Sequence, residues 1–323
     1  MMQSRLATTG IPIDLRCEIP SVRDVLAGCT IELAEPAAAP LSITIESERM
    51  PFDTDGWEPV TRSAFSREGS VVVRDAATSG FDLLLRADAA GGDLVFRRSA
   101  SVRSRFLRVA LPARGRLLLR SALLQYPAMW WAGTRDRAPL HAPVLTVGEE
   151  TVLLVGASGV GKSTLVHREA SEGARVVSDN LAVSDGYRVW GVAEPSRIEG
   201  GSGPRTTNGR RELELPGLVP DLVPDRVVIL RRGGAERVST RPSSPAAAAR
   251  MLAASTYAAG ELRRFWPFAA TLAAATAIGP PHPPVQEVAR TITERCECIE
   301  LVVPEGSGLR LREMLQGVTT SCG

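Results

Sequence analysis

Along residues 1–112, short apolar runs alternate with turn-forming clusters. IPIDLRCEI (11–19), TIELAE (30–35), LSITIESE (41–48), SVVVRDA (70–76), FDLLLRA (81–87), DLVFRRS (93–99) and RFLRVAL (105–111) each read as a strand. Gly, Pro, Asp or Ser bound several of them. In LSITIESE the apolar and polar positions alternate, which gives one buried face and one wet face. The region is expected to form an antiparallel sheet or sandwich.

The pattern changes after that. GRLLLRSALLQYPAMWWAG (115–133) is very apolar and helical, with Pro127 placed to kink or end its first helix. Trp130 and Trp131 within it are assigned to core packing rather than to stacking on a base. Extended runs at 142–147, 152–155, 176–177, 225–230 (DRVVIL) and 298–304 (CIELVVP) then alternate with helical stretches at 164–170, 244–275, 284–296 and 308–317. Ser244-Pro245 supplies a natural N-cap and first turn. Residues 193–217, rich in Gly, Pro and Arg, read as a long loop: a lid, a binding loop or a disordered segment. This order predicts a β-rich N-terminal domain (1–114) followed by an α/β domain (115–323).

Composition narrows the function classes. The 323 residues are 44% hydrophobic and 23% charged, as in a globular chain, and the net charge is +2. That balance gives no case for nucleic acid or an anionic membrane as partner. No apolar run approaches the length of a membrane span, and the start, MMQSRLATTGIPIDL, lacks the apolar core of a secretory signal. The five cysteines, Cys17, Cys29, Cys296, Cys298 and Cys322, are odd in number and match no disulfide or zinc spacing. A cytoplasmic location with reduced thiols is expected. One count goes further: of the 38 basic residues, 37 are Arg, and the single lysine is Lys162. A chain that uses Arg wherever a positive charge suffices kept a compact ammonium at one position.

That position lies in TVLLVGASGVGKST (151–164): an apolar β-rich run, a glycine loop and a helix start. It satisfies G-x-x-x-x-G-K-[ST] in the context that the pattern requires. Gly156, Ala157, Ser158, Gly159, Val160 and Gly161 form the turn whose amides face an anion, and Lys162, Ser163 and Thr164 open the helix. Lys162 is expected to reach the β- and γ-phosphates of ATP, and the Ser163 hydroxyl to hold Mg²⁺. With no second lysine, neither the Asn-Lys-x-Asp guanine motif of Ras-like GTPases nor the strand lysine of eukaryotic-type protein kinases is present. An additional metal-site lysine, as in phosphoenolpyruvate carboxykinases, is likewise missing. Seventeen residues past Lys162, Asp179 ends the short strand at 176–177, where it can hold Mg²⁺ or accept a proton from an attacking hydroxyl. His141 lies fifteen residues before Gly156, at the start of an extended run. Arg205, Arg210 and Arg211 in the long loop are candidates to bind the nucleotide or the transferring phosphoryl group. His282, in the rigid turn GPPHPPV, is not assigned a catalytic role.

His141, the loop Gly156-Ala-Ser158-Gly159-Val-Gly161-Lys162-Ser163 and Asp179, at these spacings, resemble the HPr kinase/phosphorylase family of bacterial serine kinases. The likeness is close over residues 139–182. It implies an α/β P-loop kinase domain of the HPr kinase type, with Asp179 as the base toward serine and His141 supporting it. Asn180 stands where the resemblance places a second aspartate. The family's glutamate signature, of type E-I-R-G-x-G, is not clearly present. Glu194 and Glu199 are both candidates to replace it at the metal. The missing signature argues against carrying over the reverse, phosphorylase activity. The expected function is an ATP-dependent kinase acting on a hydroxyl, foremost a serine of a peptide or protein. Related enzymes tailor ribosomal peptides, so a precursor peptide is one candidate acceptor. The alternative is a nucleotide-binding switch or scaffold with slow hydrolysis. Homo-oligomer formation stays open.

Overall fold

The computed structural model describes residues 2–29, 39–99, 111–199, 203–206, 209–233, 237–304 and 308–319. The expected strand at 30–35, and 105–110 of the expected strand at 105–111, lie outside them. By internal contacts the chain divides into two units. The first comprises residues 1–136, 203–211 and 261–283, the second residues 137–202, 212–260 and 284–323. The helical stretch 115–133, grouped in sequence with the α/β half, thus belongs to the first unit.

The first unit begins with β1 (Met2–Thr8), β2 (Ile11–Cys17), helix α1 (Pro20–Leu26) and β3 (Leu41–Ile45). Then follow β4 (Glu58–Thr61), β5 (Ala64–Arg67), β6 (Ser70–Val73), β7 (Phe81–Ala87) and β8 (Gly92–Arg98). They form one eight-stranded sheet in the order β1-β2-β3-β8-β7-β6-β5-β4. The sheet is mixed rather than purely antiparallel, because β3 lies parallel to both β2 and β8. The reason is α1: a helix between β2 and β3 turns a hairpin into a crossover. Alternation is kept where sequence predicted it, with Leu41, Ile43 and Ile45 of β3 fully buried. The apolar stretch that follows is α2 (Pro112–Arg120), a π-turn at Ser121–Gln125 and α3 (Tyr126–Gly133). Proline 127 does not end the helix. It has no N–H to complete the helical ladder, and the widened turn comes just before it, with the Tyr126 N–H reaching back five residues to the Ser121 carbonyl. Trp130 and Trp131 are buried core residues of this unit.

The second unit holds the glycine loop of residues 156–161. Its strands are β9 (Ala138–Leu140), β10 (Val144–Val147) and β11 (Glu150–Val155), followed by α4 (Lys162–Ser171). Beyond α4 come β12 (Val176–Ser178), β13 (Ala182–Ser184), β14 (Val189–Gly191), β15 (Ser196–Ile198), β16 (Arg211–Leu213), β17 (Asp221–Leu222), β18 (Arg226–Gly233) and β19 (Ser239–Pro242). The alanine-rich run expected as one helix at 244–275 is two: α5 (Pro245–Ala258) in the second unit and α6 (Phe265–Thr276) in the first. Ala259 is extended and Gly260 follows, so the helical ladder breaks there. Ser244 caps α5 as expected, its hydroxyl accepting from the Ala247 N–H at 3.2 Å. The chain ends with α7 (Val285–Arg295), β20 (Glu297–Pro304) and α8 (Leu311–Thr319).

A six-stranded sheet runs β12-β10-β11-β18-β20-β19. β11, β18 and β20 are parallel, and β12 runs the same way because both it and β11 are antiparallel to β10. Four parallel strands therefore end at one edge, and β10 begins there. A smaller sheet, β17-β14-β13-β9, is antiparallel. The core under α4 joins Leu165, Val166 and Ala170 to Val152, Leu154, Val228 and Leu230. Leu165 and Val166 recur with Ala170 at helical spacing, which is why this stretch is helix and not strand. No helix among the described residues is long and apolar enough to cross a membrane.

Candidate functional site

The loop between β11 and α4 emerges at the carboxyl edge of the parallel strands, where open α/β sheets bind ligands. Its glycines have distinct reasons. Gly161 has φ of +103°, a left-handed conformation that side chains resist. Gly156 packs so closely on β18 that a Cβ would lie 2.7 Å from the Leu230 carbonyl oxygen. Ala157, Ser158 and Gly159 are exposed and line the outside of the turn, whereas Val160 packs its side chain on the core and so anchors the loop. Lys162 is buried, and its ammonium folds back on the loop, donating to the Gly156 carbonyl at 2.7 Å and the Ala157 carbonyl at 3.1 Å. Two main-chain dipoles thus hold the chain's only lysine over the turn that it follows. Thr164 is exposed at the first turn of α4.

Asp179 follows β12 at the same edge. It is buried and accepts a 2.7 Å hydrogen bond from the Ser196 hydroxyl. Burial pushes its carboxyl up to about 6, helped by the charge of Glu194 and opposed by Ser196, Arg197 and Ser163. Ser163, at the start of α4, is close enough to bear on the Asp179 carboxyl at the end of β12, two strands away in the sheet. Glu194 is buried beside this pair. One of its oxygens accepts from the Asn180 side-chain amide at 2.6 Å, and the other pairs with Arg197. Of the two glutamates singled out in sequence, Glu194 therefore lies in the cluster, and Glu199 is exposed. Asn180 acts here as an amide donor to a carboxylate.

His141 reaches the edge by a register argument. Leu140 pairs with Ala182, and Val144 pairs with Ser178. The three-residue links 141–143 and 179–181 therefore cross between the two sheets side by side. The His141 N–H donates to the Thr256 hydroxyl at 3.0 Å, and Nδ1 lies 3.2 Å from the Ser255 carbonyl. A carbonyl only accepts, so Nδ1 carries a proton toward it. Arg210 and Arg211 belong to the first unit, where the Arg211 guanidinium donates to the Gly203 carbonyl.

Three residues of the cluster were not singled out in sequence. Ser196 and Arg197 lay inside the stretch read as an irregular loop. Arg232, the last residue but one of β18, lies beside the glycine loop, and an arginine near a strand end next to a glycine loop is the signal that could have found it. Among the described residues no trio of His, Cys, Asp or Glu is arranged to hold a metal by itself. The Ser163 hydroxyl with the Asp179 and Glu194 carboxylates is nevertheless an all-oxygen donor set. It suits a Mg²⁺ that completes its shell with phosphate and water. The raised Asp179 carboxyl, next to a second buried carboxylate, marks negative charge that a dication would relieve.

No protein-family model matches this chain, and no curated protein matches it. Among solved structures it is similar to the HPr(Ser) kinase/phosphatase from Coxiella burnetii, at 12% identity and a TM-score of 0.28, over 56% of this chain and 93% of that one. A TM-score of 0.28 does not establish a shared fold.

Proposed function

We propose that the second unit binds ATP with Mg²⁺ and transfers the γ-phosphoryl group to a hydroxyl, foremost the serine of a peptide or protein. The observation that carries this reading is the placement of the glycine loop with Lys162, after β11, and a buried carboxylate, Asp179, after β12, at one edge of the same sheet. A phosphate cradle alone fits any nucleotide binder. A cradle held against a carboxylate poised near neutrality fits transfer to a protic acceptor.

In this reading the loop amides and the Lys162 ammonium hold the β- and γ-phosphates. The acceptor hydroxyl meets Asp179, which takes its proton as the new P–O bond forms. The bond from the γ-phosphorus to the bridging oxygen breaks, and ADP leaves with that electron pair. Mg²⁺, held by Ser163, Asp179 and Glu194, would supply charge neutralisation at the phosphates. His141 braces the link that runs beside Asp179, because its main chain and ring are both tied to α5. Asp179 and Glu194 need not share one role: Arg197 and Asn180 engage Glu194, whereas burial pushes the Asp179 carboxyl up to about 6.

The test is to incubate the protein with γ-labelled ATP, Mg²⁺ and serine-containing peptides and to assay phosphoserine. Transfer that disappears in Asp179→Asn supports the reading. Slow ADP release with no acceptor labelled replaces it with a nucleotide switch, which the amide of Asn180 in place of a second carboxylate favours.

A further inference from the structure

Arg232 lies on the other side of the phosphate loop from Asp179. β11 has β18 as its neighbour on one side and β10, then β12, on the other. β18 is parallel to β11 and runs on past the end of β11: Val155 pairs with Ile229, and the strand continues to Gly233. Its side chains alternate. Val228 and Leu230 face the core under α4, and Arg232 is the next residue in that row, where the core gives way to the loop. Its Nε donates to the Val160 carbonyl at 2.9 Å, and one terminal nitrogen lies 2.7 Å from where a Cβ on Gly161 would be. Gly161 thus leaves room for a guanidinium as well as for a turn.

The neighbouring arginine differs. Arg231 is paired with Glu300 at 3.0 Å, a carboxylate that Arg241 also binds. Arg232 is exposed, and no carboxylate among the described residues forms an ion pair with it. Its Nε bond fixes the plane of the guanidinium and leaves the terminal nitrogens at the loop, the geometry in which arginine grips phosphate oxygens.

We propose that Arg232 is a nucleotide-binding residue that holds the non-transferred phosphates, on the nucleoside side of the loop. This rests on the nucleotide reading above. The side follows from topology. The acceptor and the transferred group meet at Asp179, on the β12 flank, so the part of the nucleotide that stays behind extends toward the β18 flank. Arg232 is then a determinant of affinity for any nucleoside diphosphate or triphosphate and contributes little to the chemical step.

The experiment titrates ATP and ADP, each with Mg²⁺, into the wild type, Arg232→Ala, Arg232→Gln and Arg231→Ala, and measures turnover at saturating ATP. Arg232→Ala is expected to weaken ATP and ADP alike, by roughly 10- to 100-fold, the usual weight of a hydrogen bond to a charged group. The kcat should stay within about threefold, since interactions kept unchanged into the transition state set binding and not rate. Arg232→Gln keeps a donor for the Val160 carbonyl but no charge, and should lose as much affinity as the alanine variant. Arg231→Ala should match the wild type. Restored affinity in Arg232→Gln would overturn the proposal, because the side chain would then only cap a carbonyl. Unchanged affinity in Arg232→Ala, or weakened ATP with ADP unaffected, would overturn it as well. If the wild type itself binds neither nucleotide, the nucleotide reading fails and takes this inference with it.

Discussion

Replacing Asp179 with asparagine should do two opposite things at once: abolish most phosphoryl transfer and make the folded protein more stable. The carboxyl is held at about 6, against an ordinary value of 3.8, chiefly by burial and secondly by Glu194. Below the ordinary value the group is protonated in both the folded and the unfolded chain, and it has no effect on stability. Between about 4 and 6 the unfolded chain releases the proton while the folded chain keeps it, so stability falls as pH rises. Above about 6 the full penalty applies. Two pKa units correspond to about 3 kcal/mol, an order-of-magnitude figure. Asparagine keeps the shape and still accepts from Ser196, but carries no charge to desolvate. At pH 7.5 the variant should therefore melt higher, by roughly 6–12 °C at ~2–4 °C per kcal/mol. The gain should shrink toward zero near pH 4. Transfer to serine should fall by roughly 10²–10⁴-fold, the range for loss of a general base. Thermal scans of both proteins at several pH values, without nucleotide or metal, check the first part. A less stable variant at pH 7.5, or a gain independent of pH, would refute the assignment of Asp179 as a buried carboxylate held against its preference.

Three further outcomes follow from the same geometry. Lys162→Arg should fail in turnover almost as badly as Lys162→Ala, because a planar guanidinium cannot fold into the space bounded by the Gly156 and Ala157 carbonyls; nucleotide turnover assays of both variants check this. Excess EDTA should stop transfer in an acceptor-labelling assay, and added Mg²⁺ or Mn²⁺ should restore it. Ser196→Ala removes a hydrogen bond that favours the charged form of Asp179, so the rising limb of kcat/KM against pH should move upward from its wild-type position.

The strand, glycine turn and helix start of residues 151–164 were legible because the pattern is local. A strand, a glycine turn and a helix start fall within fourteen consecutive residues, and the single lysine marked the spot. Asp179 and His141 were legible as residue types at a spacing. Their neighbourhood was not, since it arises from two links crossing between separate sheets in a register that no local pattern encodes. Ser196 and Arg197 were hidden because a strand of three residues in a Gly- and Pro-rich stretch carries almost no periodic signal. The mixed sheet of the first unit was missed for a similar reason. Its helix α1 spans seven residues and buries only Val22 and Leu26, too short a run to register as a helix between strands. In α2 and α3 the apolar pattern gave helix correctly. The π-turn before Pro127 depends on where the backbone relieves the missing N–H, and composition does not report that.

The most direct test of the account is calorimetric titration of ATP with Mg²⁺ into the purified wild type and Lys162→Ala, since it needs no knowledge of the acceptor. Saturable binding of one nucleotide per chain, weakened at least tenfold in the alanine variant, is the predicted result. No binding by the wild type, or equal binding by both proteins, would contradict the claim that residues 156–164 form the nucleotide site.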